Sequence, residues 1–136
     1  MIVYLDSSAL VKRARDESES AALEAELVDR HRRGDVFLSS SLAWVDVSRA
    51  LRSRVDAEHP SRIADLIDGA MSGVVEHPMD NAVTSLARRL DPSTLRSLDA
   101  IHLATAILAD VDLVVAYDER MIASAEELGL RTGSPE

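Results

Sequence analysis

Apolar positions along the chain follow two periods. Ile2, Val3, Tyr4 and Leu5 form an unbroken apolar run, the pattern of a strand buried on both faces of a parallel sheet. It stops at Asp6, with Ser7 and Ser8 as candidate caps of a helix beginning near Ala9 and running to 14. A polar break over 16–20 precedes a helix over 21–33, with Leu23, Leu27 and Val28 on one face and Gly34 as its stop. Val36, Phe37 and Leu38 predict a second strand, and 42–54 a helix turning Leu42, Val45 and Leu51 inward. A loop is expected over 56–60. Ile63, Leu66, Ile67 and Ala70 then fall at i, i+3, i+4 and i+7 of a helix ending near Gly73. Val74 and Val75 suggest a third strand, closed by His77 and Pro78, and Val83, Leu86, Ala87 and Leu90 another helix, with Asp80 as its cap. After a loop over 91–93, an apolar helix is expected over 99–109 with Ser97 as N-cap. A buried strand over 113–116 and a helix over 120–128 stopped by Gly129 follow, then a weak edge strand over 130–132. Strands alternating with helices predict an α/β fold, built on a parallel sheet with right-handed crossovers.

Composition narrows the class. With 136 residues, 46% hydrophobic and 29% charged, one domain with a real core is expected, not a disordered chain. Aromatic residues make up 3%, so the core falls to Ala, Leu, Val and Ile. There is no cysteine, which excludes disulfides, zinc–thiolate sites and a thiol nucleophile. The short apolar start has no cleavage pattern, and no run approaches the ~18 residues of a membrane span; a soluble cytoplasmic protein is expected. The net charge of −9 argues against nucleic acid on its face. Arginine clusters at 13 and 15, at 30, 32 and 33, at 49, 52 and 54, and at 88 and 89 keep an RNA substrate open, provided a metal fills any local acidic hole.

Four acids carry the chemistry. Asp6 ends the first strand, and Asp118 follows the strand over 113–116 by two residues. Asp99 falls in the first turn of the apolar helix. Asp46 lies among Ala43, Trp44, Val45 and Val47, where a carboxylate is out of place unless paired. Each has an ordinary explanation: Asp6 and Asp118 as turn or cap residues, Asp99 as a dipole partner, Asp46 as an ion pair with Arg49. All four at one edge of one sheet suggests a cation, because two unit charges at 4 Å cost about 4 kcal/mol at an effective dielectric of 20. Oxygen-only ligands favour Mg²⁺ or Mn²⁺, and such a site supports phosphodiester hydrolysis.

Other α/β sites lack their residues. No glycine follows the first strand, which excludes dinucleotide and P-loop sites. Ser8 stands where a haloacid-type phosphatase would place a second Asp. The only lysine, Lys12, is wrongly placed for a response-regulator receiver.

The stretches 4–12, 41–51, 95–104 and 117–118, with 125–130 after the last, resemble a PIN-domain ribonuclease, most closely the VapC toxins of bacterial VapBC toxin–antitoxin pairs. The resemblance spans nearly the whole chain, and the stretch 95–104, Leu95-Arg96-Ser97-Leu98-Asp99-Ala100-Ile101-His102-Leu103-Ala104, is its most specific part. It implies a single PIN domain over 1–136, a three-layer α/β/α sandwich with a mainly parallel central sheet. It also implies Mg²⁺- or Mn²⁺-dependent cleavage of RNA (tRNA or rRNA) that inhibits translation and growth, a homodimer, and a VapB antitoxin that covers the site. Asp6, Asp99 and Asp118 correspond to metal ligands or water-orienting acids. Asp46 stands where the family usually has Glu, leaving direct ligation or a role through water open. Ala116 replaces a supporting Thr or Ser. Ser7 and, more weakly, Arg49 are candidate substrate contacts. His102, one turn after Asp99, is read as a packing or hydrogen-bonding residue before a proton shuttle, and Trp44 as a packing residue before a base-stacking one. An antitoxin-binding module with weak or lost catalysis, and a PIN nuclease of RNA processing, are the alternative readings.

Overall fold

The computed structural model describes residues 1–54 and 60–136. The expected loop over 56–60 lies, apart from Pro60, outside the described residues. Five strands are formed, β1 (Ile2–Leu5), β2 (Val36–Ser40), β3 (Val74–His77), β4 (Leu113–Val115) and β5 (Thr132–Gly133). They make one parallel sheet in the order β3-β2-β1-β4-β5. The helices are α1 (Ser7–Ala14), α2 (Ser20–Arg32), α3 (Ser41–Arg54), α4 (Pro60–Met71), α5 (Asn81–Ala87), α6 (Ser97–Leu108) and α7 (Glu119–Glu127).

Strand alternation divides the core in two. Val3, Leu5, Phe37, Leu113 and Val115 point to one face, where they pack with Leu10 of α1, Leu23 of α2, Val47 of α3 and Ile63 of α4. Tyr4 and Val114 point to the other, against Leu103 of α6 and Met121 of α7. The result is the expected α/β/α sandwich. Leu5, Leu10, Leu23 and Leu103 are almost wholly buried, each contributing about 2 kcal/mol of transfer free energy. Among the described residues, no helix is long and apolar enough to cross a membrane.

The chain lays down β1, β2 and β3 in one direction, then returns to the other side of β1 for β4 and β5. The switch point therefore lies between β1 and β4. Connections leave the carboxyl ends of these two strands toward opposite faces and open a crevice there, the usual ligand site of an open α/β sheet.

Gly34 and Gly129 stop α2 and α7 at φ +87° and +81°, conformations that a Cβ disfavours. Asp80 caps α5 by accepting the Val83 N–H at 3.0 Å. Several local expectations need correction. Asp6 itself, not Ser7 or Ser8, is the N-cap of α1, which starts two residues earlier than expected. Arg96, not Ser97, holds the cap position of α6, without a side-chain cap bond. In α3 the buried stripe is Ala43, Val47 and Leu51; Leu42 is half-buried and Val45 is 56% exposed. At 100° per residue, Val45 stands about 200° from Ala43, so the small alanine marks the inner face and the larger valine does not. Val28 is likewise 45% exposed. The last strand pairs through Thr132 and Gly133, two residues beyond the predicted start.

Candidate active site

Two acids occupy the carboxyl ends of the strands that flank the switch point. The Asp6 N–H donates to Val115 O at 3.0 Å, adding one rung beyond β1. Its buried carboxylate accepts from Ser8 N at 3.3 Å and Ser8 Oγ at 2.8 Å, both on Oδ2. Asp118 follows β4 and caps α7, its Oδ1 accepting the Met121 N–H at 3.0 Å. The turn-and-cap explanation is thus correct for both residues, yet it uses one oxygen of each. Asp6 Oδ1 and Asp118 Oδ2 accept no hydrogen bond among the described residues. Capping and ligand binding are therefore compatible at both positions.

Asp99 enters from the first turn of α6 and is half-buried. Burial pushes its carboxyl above the usual carboxylate range, and the charges of Asp6 and Asp118 push it further. Asp99 thus lies in the field of two acids drawn from two other segments of the chain.

Asp46 is held differently. Its Oδ2 accepts from Ser7 Oγ at 2.7 Å and lies 2.9 Å from His102 Nε2. His102, not Arg49, is the hydrogen-bonding partner of Asp46; Arg49 is exposed elsewhere on α3. Burial raises the Asp46 carboxyl, but the His102 and Ser7 bonds outweigh it and hold the carboxyl below its ordinary value. His102 is buried, with Nδ1 2.6 Å from Tyr4 Oη and Nε2 3.2 Å from Ser7 Oγ. Tyr4 is raised well above the usual phenol range, mainly by burial and then by the Asp6 charge, so its hydroxyl keeps its proton.

Two openings reach three of the four acids; Asp6 lines neither. A cavity of about 400 Å³ is lined by Ser7, Ser8, Lys12, Asp46, Tyr117 and Asp118. A second, of about 390 Å³, brings Arg96 and Arg120 beside Asp99. Trp44 packs partly buried against the core, as expected. Ala116 is buried without a hydroxyl; next to it, Ser8 Oγ, bonded to Asp6, also accepts the Tyr117 N–H at 2.9 Å.

Sequence reasoning did not link Tyr4, Ser8, Arg96 or Arg120 to this site. The signal for the Tyr4–His102 contact was present in the spacing. Tyr4 and Asp6 are i, i+2 on one strand face, and Asp99 and His102 are i, i+3 on one helix face, so contact at the acids brings the other pair together.

The donor chemistry suits a hard divalent cation. The groups are carboxylate oxygens, two with a free oxygen, and their mutual repulsion is what a cation relieves. They do not form a ready-made cage, for among the described residues no three His, Cys, Asp or Glu side chains are grouped to hold a metal ion.

The family profile of the PIN domain matches residues 3–127. Over 135 residues the chain is 43% identical to Ribonuclease VapC46 of Mycobacterium tuberculosis strain H37Rv, covering 98% of this chain and 97% of that protein. It is 34% identical over 136 residues to Ribonuclease VapC47 of Mycobacterium tuberculosis strain CDC 1551, with the same coverage. Among solved structures, VapBC2 from Rickettsia felis, bound to a DNA fragment from its promoter, superposes with a TM-score of 0.75 at 12% identity, covering 100% of both chains. That likeness shows the fold.

Proposed function

The chain belongs to the PIN-domain family, among the VapC-type ribonucleases, and on that premise we propose that it is a metal-dependent endoribonuclease serving as the toxin of a type II toxin–antitoxin pair. The observation that carries the reading is the placement of Asp6 and Asp118 at the two strand ends that flank the switch point, with Asp99 entering from the first turn of α6, near enough to both for their charges to raise its carboxyl. Acids drawn from three segments into one field are costly unless they serve a cation.

In this reading Asp6, Asp99 and Asp118 hold Mg²⁺ or Mn²⁺. The ion, when bound, lowers the pKa of a water and balances charge on the reacting phosphate. Asp46 keeps its negative charge through the His102 and Ser7 bonds, which makes it a poor proton acceptor and a suitable group to orient a water by accepting its hydrogen bond. Ser7 serves by fixing Asp46. Arg96 and Arg120 are set beside Asp99 to receive phosphates flanking the cleaved bond. They offset locally a chain whose net charge is −9, and they replace Arg49 as the favoured phosphate contacts.

The RNA substrate, tRNA or rRNA, the VapB-type antitoxin, the homodimer and a cytoplasmic location are proposed on family membership, as is a single PIN domain over the chain. The absence of a ready-made cage among the described residues favours, as a second reading, a module that binds antitoxin and cleaves weakly. Mapping new RNA 5′ ends after induced expression separates the two. The proposal expects discrete new ends with wild type that vanish with Asp99→Asn. Identical end profiles for the two proteins, or no new ends at all, contradict it.

A further inference from the structure

His102 is 3% exposed and lies within hydrogen-bonding distance of Tyr4, Ser7 and Asp46. Its two ring nitrogens have different neighbours. Nδ1 lies 2.6 Å from Tyr4 Oη, while the nearest acid on that side, Asp6 Oδ1, is 4.0 Å away. Tyr4 Oη accepts the Ser40 N–H at 3.2 Å and keeps its own proton, for which Nδ1 at 2.6 Å is the acceptor at hand. Nδ1 is then the acceptor, and the ring hydrogen sits on Nε2, 2.9 Å from Asp46 Oδ2. The rings of Tyr4 and His102 meet edge to face, with centroids 6.0 Å apart at 76°, which leaves the imidazole little room to turn.

The bonds from Ser7 and His102 both fall on Asp46 Oδ2. Oδ1 has no hydrogen-bond partner among the described residues, and Asp46 lines the cavity it shares with Asp118. Ser7 from α1 and His102 from α6, 95 residues apart, thus meet on one carboxylate, and Tyr4 from β1 backs the His102 ring.

We infer that His102 is a positioning residue: Tyr4 fixes its tautomer, and its Nε2–H locks Asp46 so that Oδ1 alone is left for a water or phosphate in the cavity. The effect on turnover rests on the nuclease reading given above; the tautomer and the lock do not. The arrangement follows the general rule that a buried group behind a reacting carboxylate sets its orientation.

Two measurements test this on the full chain. Long-range ¹H–¹⁵N NMR of the histidine rings should show His102 with a bare Nδ1 and a protonated Nε2, and Tyr4→Phe should weaken that preference. A ring protonated at Nδ1 alone, or one averaging between tautomers in wild type, overturns the inference whether or not the protein cleaves RNA. In cleavage assays His102→Leu should lower kcat by ~10- to 100-fold with KM unchanged. His102→Gln, whose amide can donate from nearly the same place as Nε2, should recover most of that loss. In an Asp46→Ala background, His102→Leu should cost nothing further. A residue that only fills the core would show no rescue by Gln and an equal loss in both backgrounds, and that result overturns the positioning role. If wild type itself cleaves no RNA, the nuclease reading fails while the NMR result still decides the lock.

Discussion

Ser8 Oγ donates to Asp6 Oδ2 at 2.8 Å and accepts the Tyr117 N–H at 2.9 Å. One hydroxyl therefore ties the acid at the end of β1 to the backbone at the end of β4, across the switch point of the sheet. The tie fixes one oxygen of Asp6 and leaves the other without a hydrogen bond among the described residues. Ser8→Ala should leave the Tyr117 N–H without its partner at a cost of about 1–3 kcal/mol, and free the Asp6 carboxylate to rotate. Denaturant unfolding should show that loss of stability, and RNA cleavage should fall together with it. Wild-type stability and activity in Ser8→Ala would show that the tie is idle.

Most of the fold was legible because the strand and helix periods are strong. The run from Ile2 to Leu5 is the central strand, and Gly34 and Gly129 end helices as expected. The misreadings share a physical origin. Hydrophobicity alone points Val45 and Val28 to the core, whereas helix geometry gives the inner face to Ala43 and Leu23. Ser7 and Ser97 look like N-caps by type, but Asp6 takes the first cap and Arg96 the second position. Ser7 was instead drawn into a tertiary bond with Asp46, 39 residues away. The acids Asp6, Asp99 and Asp118 could be read from strand ends and a helix start. The partnership of Asp46 with His102 could not, since it depends on how α3 and α6 meet.

Asp46 is expected to be a tuned position. Asp46→Ala removes the carboxylate that His102 and Ser7 hold, and should cost ~10- to 100-fold in cleavage rate. Asp46→Glu adds one methylene, ~1.5 Å on standard bond lengths, and by bending can still reach both donors, so it should retain activity. Equal rates for Asp46→Ala and wild type would reduce the His102 pair to a structural contact.

Asp99 makes the metal-free fold sensitive to pH. Its folded carboxyl is raised above the ordinary value of 3.8, so between the two values the folded state binds more protons than the unfolded one. Stability from this group is full below the ordinary value and is lost as pH rises through the raised one. In EDTA, the melting temperature of Asp99→Asn should therefore exceed that of wild type at neutral pH, with the gap closing below pH ~4. In millimolar Mg²⁺ wild type should rise by ligand linkage, and Asp99→Asn should lose most of that rise. Asp80→Asn is the control: Asp80 caps α5 through Val83 N at 3.0 Å, and Asn caps about as well. It should show neither effect. Equal Mg²⁺ responses in wild type and Asp99→Asn would remove Asp99 from the metal ligands.

Arg96 and Arg120, beside Asp99, are expected to act through charge. Replacing either with Ala should raise KM for RNA more than it lowers kcat, and should reduce the salt dependence of RNA binding by about one unit of slope. An unchanged salt slope in both variants would place the RNA on another face.

The central claim is that Asp6, Asp99 and Asp118 act with a divalent cation to cut RNA, and cleavage of purified tRNA and rRNA by the purified protein tests it most directly. Wild type should cut in Mg²⁺ or Mn²⁺ and stop in EDTA. Asp6→Asn, Asp99→Asn and Asp118→Asn should each be slowed ~100-fold or more, while circular dichroism shows them folded. Undiminished cleavage by wild type in EDTA, or by folded Asp99→Asn in Mg²⁺, would contradict the account.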